Sequence, residues 1–351
     1  MLPKASAQLL TFGLVLAQSM AVARDSQTFS VLLRQQGGAS ERDLKFYLQP
    51  GGVFATILPH IWAGEVATVG VVRIPVTIDF FLDQFRDIET FKKGPVVLSI
   101  GKFSDPPREP DLGRLTLGNK ELDALVGCKP GKCSVKLSAQ MMTRLRSAAI
   151  LGRGPKLESE FRAVLFDYLS RYLEMGTPAM IEYSDTDPPV QTSREFLEIL
   201  GQFAWLEKDA PLLLKTLRDS LRTARTQIND FFYWSKESFG LKPVVSVTHV
   251  LILKTMIDGK PWAFTASKQI YADHYFVASL GLTVLAQESA DPANPLISVA
   301  YFNRSRTDGL QGWFSSVERS IVERHVRSGV LKNLSEVRDR LEKAYQLQIS
   351  R

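Results

Sequence analysis

The last third of the chain constrains the fold most, because it reads as a succession of strands joined by short turns. Val244–Lys254 (VVSVTHVLILK) is rich in β-branched residues that suit a pleated, half-buried surface. Asp258-Gly259 follows, a pair that tolerates the positive φ angles of a hairpin turn. Trp262–Gln287 reads as one long bent strand or two successive ones, Asp291–Pro295 as a turn, and Leu296–Arg304 as the next strand. From Gly312 onward the apolar residues Phe314, Val317, Ile321, Val326, Val330, Leu334, Val337, Leu341 and Tyr345 step by threes, fours and fives. That spacing predicts a long amphipathic C-terminal helix, with Gly329 as a point where it would bend.

The first third supplies more of the same sheet. Residues 28–48 read as helix, broken at Gly51-Gly52, and the valine-rich Glu65–Ile74 reads as a strand ending at Pro75. Val76–Phe91 carries Ile78, Phe80, Phe81, Phe85, Ile88 and Phe91 on one face and Asp79, Asp83, Arg86 and Glu89 on the other, an amphipathic helix. Pro95–Phe103 is the next strand. The middle third is mainly helical: residues 115–126, 138–150, 155–175, a helix opened by a Thr192/Glu195 capping box, and one or two more over 211–239. The expected fold class is α+β, a curved antiparallel sheet on a long C-terminal helix. Residues 24–114 and 241–351 form the two halves of that domain, and 115–240 is a helical insertion.

At the N-terminus, Lys4 precedes the apolar stretch Leu9–Ala17, which is too short for a bilayer span of about 20 residues. Ala21-Val22-Ala23 then forms a small-x-small site before Arg24-Asp25. Residues 1–23 therefore read as a signal peptide cleaved after Ala23, which places the protein in a periplasmic or secreted compartment. The remainder, with 45% hydrophobic and 23% charged residues over the whole chain, has a globular composition. The net charge of +6 is modest. Basic and acidic residues interleave along helices, as in Arg338-Asp339-Arg340, so nucleic acid is not an expected partner, while peripheral contact with an anionic membrane is compatible with the charge.

The chain has two cysteines, Cys128 and Cys133, around a Pro130-Gly131 turn. In an exported protein they read as a disulfide closing a tight loop. Without a second cysteine pair or a nearby histidine they do not suggest a metal site.

Strand, amphipathic helix, antiparallel strands and a long final helix, carried by Glu65–Ser104 and Val244–Tyr345, together resemble the START-like or helix-grip superfamily. The resemblance implies a sheet wrapped on the C-terminal helix with a cavity between them. It covers under half of the chain, and the middle helices would be a large insertion.

Candidate chemistry concentrates in Ser267–Phe276. If this segment is extended, Lys268, Ile270, His274 and Phe276 share one face and Ser267, Gln269, Tyr271, Asp273 and Tyr275 the other. His274 beside Tyr271 or Tyr275 would serve as an acid-base group, set against the plainer reading of cross-strand pairs. His249 would lie across from the His274 region, and the two would hold a metal only if a carboxylate such as Asp273 joined them, so no metal site is expected. Asn303, Arg304 and Arg306, taken to follow the last strand, would clamp an anionic head group, or Asp308 would neutralise the arginines. Nucleophile, zincin and phosphate-loop motifs are absent from the sequence. The expected function is binding of a lipid-like or other hydrophobic small molecule, without a cofactor, between sheet and C-terminal helix. Acid-base catalysis on such a ligand and a scaffold that binds a partner are the alternatives.

Overall fold

The computed structural model describes residues 29–62, 64–152, 154–219, 227–238, 242–291, 293–308 and 316–350. The expected signal peptide and its cleavage site, and the start of the last helix at Gly312–Phe314, lie outside them. The strands are β1 (Val53–Ile57), β2 (Glu65–Ile74), β3 (Val97–Lys102), β4 (Glu182–Tyr183), β5 (Val190–Gln191), β6 (Asn229–Glu237), β7 (Val244–Ile257), β8 (Lys260–Ala272), β9 (Phe276–Ser289) and β10 (Leu296–Thr307). The helices are α1 (29–37), α2 (Glu41–Tyr47), α3 (Ile78–Arg86), α4 (Ile88–Phe91), α5 (Asn119–Val126), α6 (Ala139–Leu151), α7 (Pro155–Met175), α8 (Thr192–Gly201), α9 (Leu206–Asp209), α10 (Pro211–Arg218) and α11 (Ser316–Ile349).

The fold is α+β. Eight strands form one antiparallel sheet in the order β1-β2-β10-β9-β8-β7-β6-β3. Asp258 and Gly259 both adopt positive φ at the β7–β8 turn, as the hairpin pattern requires. Ten consecutive residues of β7, Val244–Leu253, are buried, so the sheet is covered on both faces. Val247, Leu251 and Leu253 join the core under α5–α10, whereas Val250 and Ile252 join the core under α3 and α11.

Helix α11 packs on β1 and β2. Val330, Leu334, Val337, Leu341 and Tyr345 form its buried stripe. Arginines along it also donate to backbone carbonyls of other segments: Arg319 to Glu65, Arg327 to Ala55, Arg338 to Gly51 and Arg340 to Phe91, at 2.7–3.1 Å. The helix runs unbroken through Gly329. The close approach depends on Gly70, where an added Cβ would stand 2.4 Å from Val330 and 2.6 Å from Leu334.

Several expectations are corrected. Residues 229–237 are strand β6, not helix. Phe232 and Trp234 face the middle helices while Phe231 and Tyr233 face the other side, a period of two that the apolar spacing of α10 obscured. Of the two readings offered for the 262–287 stretch, the structure bears out two successive strands, β8 and β9, which meet at Asp273–Tyr275, where Tyr275 takes a φ of 61°. A bulge opposite Val247/Thr248 turns Ile270 and Tyr271 into the same core, so the expected alternation of faces fails there. The capping box at Thr192 does not form. Thr192 is the first helical residue and donates to the Ile181 carbonyl, and Glu195 is drawn to Arg306.

Gly70→Ala should destabilise the fold by about 1–3 kcal/mol through overpacking. In thermal melts, adding Val330→Ala should recover part of that loss, because it removes the nearer of the two clashes.

Candidate functional site

The residues singled out in the sequence fall into separate environments. Lys268 lies in the middle of β8, paired across the sheet with His249 of β7. Its side chain enters the core between β8, α7 and α8 and is 1% exposed. Its Nζ donates to Thr177 Oγ1 at 2.6 Å and sits over the rings of Phe196 (4.2 Å) and Tyr172 (5.1 Å). The Thr177 hydroxyl donates its own hydrogen bond to the Leu217 carbonyl, so its oxygen is free to accept. Burial holds the Lys268 amine well below the ordinary lysine value.

His249 stacks on Phe232 with ring centroids 4.2 Å apart. Its Nε2 is 3.3 Å from Asp230 Oδ2 and its Nδ1 is 3.1 Å from the Tyr172 hydroxyl. With Asp230 as a carboxylate, Nε2 carries the proton and Nδ1 accepts from Tyr172, since an ionised carboxylate can only accept. Burial lowers the His249 pKa and raises that of Tyr172 well above its usual value. Asp230, His249 and Tyr172 thus make a hydrogen-bonded chain running inward from a part-exposed carboxylate. His249 was expected opposite His274, but the register sets it against Lys268, and no group of three or more metal-ligating side chains forms among the described residues.

Tyr271 and His274 do not meet as an acid-base pair. The Tyr271 ring lies against Tyr168 and Tyr183, at 6.4 and 6.3 Å, and its buried hydroxyl has no hydrogen-bond partner. His274 sits in the β8–β9 turn beside Tyr275, whose hydroxyl accepts from the Lys242 amide. Nδ1 of His274 is 2.9 Å from Asp273 Oδ1 but off the line of a hydrogen bond. Asp273 accepts from the Val245 amide instead, and burial raises its pKa. Nearby, the buried Lys136 joins Asp308 at 2.5 Å and Asp185 at 3.5 Å, so Asp308 neutralises a lysine and not the arginines. The Cys128–Cys133 disulfide closes a loop that docks on this corner through Gly131 N to Ser184 O and Cys133 N to Asp185 O.

Asn303, Arg304 and Arg306 lie inside β10 rather than after it, and they do not converge. Asn303 points to the α11 face and meets Tyr301 and Ser305. Arg304 and Arg306 point to the helical face. Arg304 pairs with the fully buried Glu65 at 2.6 Å, and Gln202, the C-cap of α8, donates to the same carboxylate. Arg306 pairs with Glu195 and Glu198 of α8 and stacks on Trp62 at 3.5 Å. Both arginines help hold α8 on the sheet, and Arg306 reaches α8 through Nη1 alone.

A more open site lies elsewhere. Between α2, edge strand β1 and α11 runs a groove of about 810 Å³. Phe46, Val53, Phe54, Ala55 and Leu331 form its apolar surface, and Arg42, Lys45 and Arg327 stand on its rim with Asp43. Asp43 is held by the Ser40 cap of α2, and Arg327 caps the Ala55 carbonyl. Phe46 is exposed, large and apolar, a property that the structure reveals and the sequence reading did not single out.

Lys268→Met should raise stability at neutral pH by about 1–3 kcal/mol, because methionine fills the site without the cost of burying an amine. The unfolded chain keeps its lysine protonated up to about 10.5, while the folded one does not, so the gain should shrink as pH rises toward that value. Denaturant titrations of both proteins across the alkaline range measure it. No protein-family model, curated protein or solved structure matches this chain.

Proposed function

We propose that this is an exported, helix-grip-like binding protein that takes a lipid-like or other amphiphilic molecule in the groove between α2, β1 and α11. The observation that carries the reading is the groove itself. Its volume of about 810 Å³ falls within the range of small-molecule sites, roughly 300–1,000 Å³. An acyl chain or ring system would lie on Phe46, Val53 and Leu331, and an anionic head group would meet Arg42 and Lys45. Neither cation has a carboxylate partner among the described residues. The site adjoins the sheet and the C-terminal helix at their margin, because Leu334, Val337, Leu341 and Tyr345 fill the interface between them with the protein's own side chains.

Export is supported by the N-terminal sequence and by the Cys128–Cys133 bond, which an oxidising compartment favours. A partner-binding role is the second reading, favoured by that filled interface and by the position of β1 at the sheet edge.

Native mass spectrometry of the exported protein, followed by organic extraction, should show an amphiphile bound at one equivalent. N-terminal sequencing should begin at Arg24. Phe46→Asp, at an exposed position, should weaken binding by about tenfold or more while leaving the melting temperature unchanged. A ligand-free mass that persists after incubation with membrane lipid would overturn the lipid reading. A co-purified polypeptide would establish the partner reading in its place.

A further inference from the structure

From Ala124 to Leu157 the chain contains seven lysines and arginines and no aspartate or glutamate. Within this stretch α6 ends on Ile150 and Leu151, which are 86% and 75% exposed. Large apolar side chains at the end of an amphipathic helix are ordinarily turned inward, and the preceding Ala148 and Ala149 do pack against the core. Ile150 and Leu151 instead project from the tip of the α6–α7 hairpin, where Gly152 and Gly154 reverse the chain with positive φ.

The charges around the tip are unbalanced. Glu158 is committed to Arg162 and to the Leu117 amide, and Glu160 to Arg144. Arg144 is further bound by Asp167. Arg146, one turn before Ile150, and the exposed Lys156 at the start of α7 have no carboxylate partner among the described residues. Two bulky apolar side chains flanked by free cations suit the boundary between acyl chains and anionic head groups. There the apolar residues leave water and the cations stay at the charged surface.

We propose that the α6–α7 tip is a membrane-contact element that docks the protein on an anionic lipid surface by inserting Ile150 and Leu151, with Arg146 and Lys156 at the head groups. The tip shares no residue with the groove, so this contact stands without the ligand reading.

The test is cosedimentation of the exported protein with vesicles of phosphatidylcholine alone and of phosphatidylcholine mixed with phosphatidylglycerol. The protein should bind the anionic vesicles and bind the neutral ones about tenfold or more weakly, with the difference shrinking as salt rises. Ile150→Asp with Leu151→Asp should lower anionic-vesicle binding about tenfold or more. Arg146→Glu with Lys156→Glu should lower it comparably. Both pairs should keep the wild-type melting temperature. Wild-type protein that stays in the supernatant with anionic vesicles, or an aspartate variant that sediments like wild type, would overturn the proposal. So would size-exclusion showing a wild-type dimer that the aspartate pair converts to monomer, because the tip would then be covered by a second copy.

Discussion

The structure depends on burying both faces of the central strands. Every residue from Val244 to Leu253 is buried, and β8 and β9 are nearly as enclosed. A sheet with one wet face would leave half of these side chains in water, at roughly 1.5–3 kcal/mol for each large apolar one. Two helical layers are therefore required. Helices α5–α10 cover one face and α3 with α11 the other. The middle third of the chain is thus half of the core, whatever else it presents outward.

Covering a sheet this completely traps polar groups, and several of them join two layers. Glu65 in β2 gathers Arg304 from β10 and Gln202 from the C-cap of α8, and Arg306 reaches Glu195 and Glu198 on α8. Lys136 ties Asp185 and Asp308 at the corner held by the disulfide loop. Lys268 reaches the helical layer as an amine on a threonine and two aromatic faces, with no carboxylate partner among the described residues. An isolated buried amine is costly, and its pKa falls because the neutral form is cheaper to bury. Glu65 and Arg306 shape the layers, whereas Lys268 makes its own layer less stable.

The interior is closed by its own side chains, so recognition moves to the surface. The groove beside β1 arises because α2 and α11 approach the sheet edge from different sides and leave Val53 and Phe54 between them. Gly70 lets α11 come close enough to form that wall. The α6–α7 tip arises from helix length, since α6 runs far enough past its packed turns to carry Ile150 and Leu151 clear of the core.

The amino-acid sequence alone determined the element types wherever local pattern and final environment agree. Helix α7 was legible from Leu157, Phe161, Val164, Leu165 and Tyr168, β2 from its valines, and the β7–β8 hairpin from Asp258-Gly259. The cysteine pairing followed from a six-residue window. Strand β6 was missed because its strand character depends on β7 and β3 lying on either side, a long-range pairing that no local window contains. The candidate site was read least well. Lys268, Tyr271 and His274 are near in sequence, and Arg304 and Arg306 lie on β10, yet a bulge and a turn in the first segment and the intervening strand β9 send them to different neighbours. Sequence spacing determines which side chains share a strand. Only the tertiary structure decides which carboxylate, ring or carbonyl each one meets, because those partners come from segments tens to hundreds of residues away.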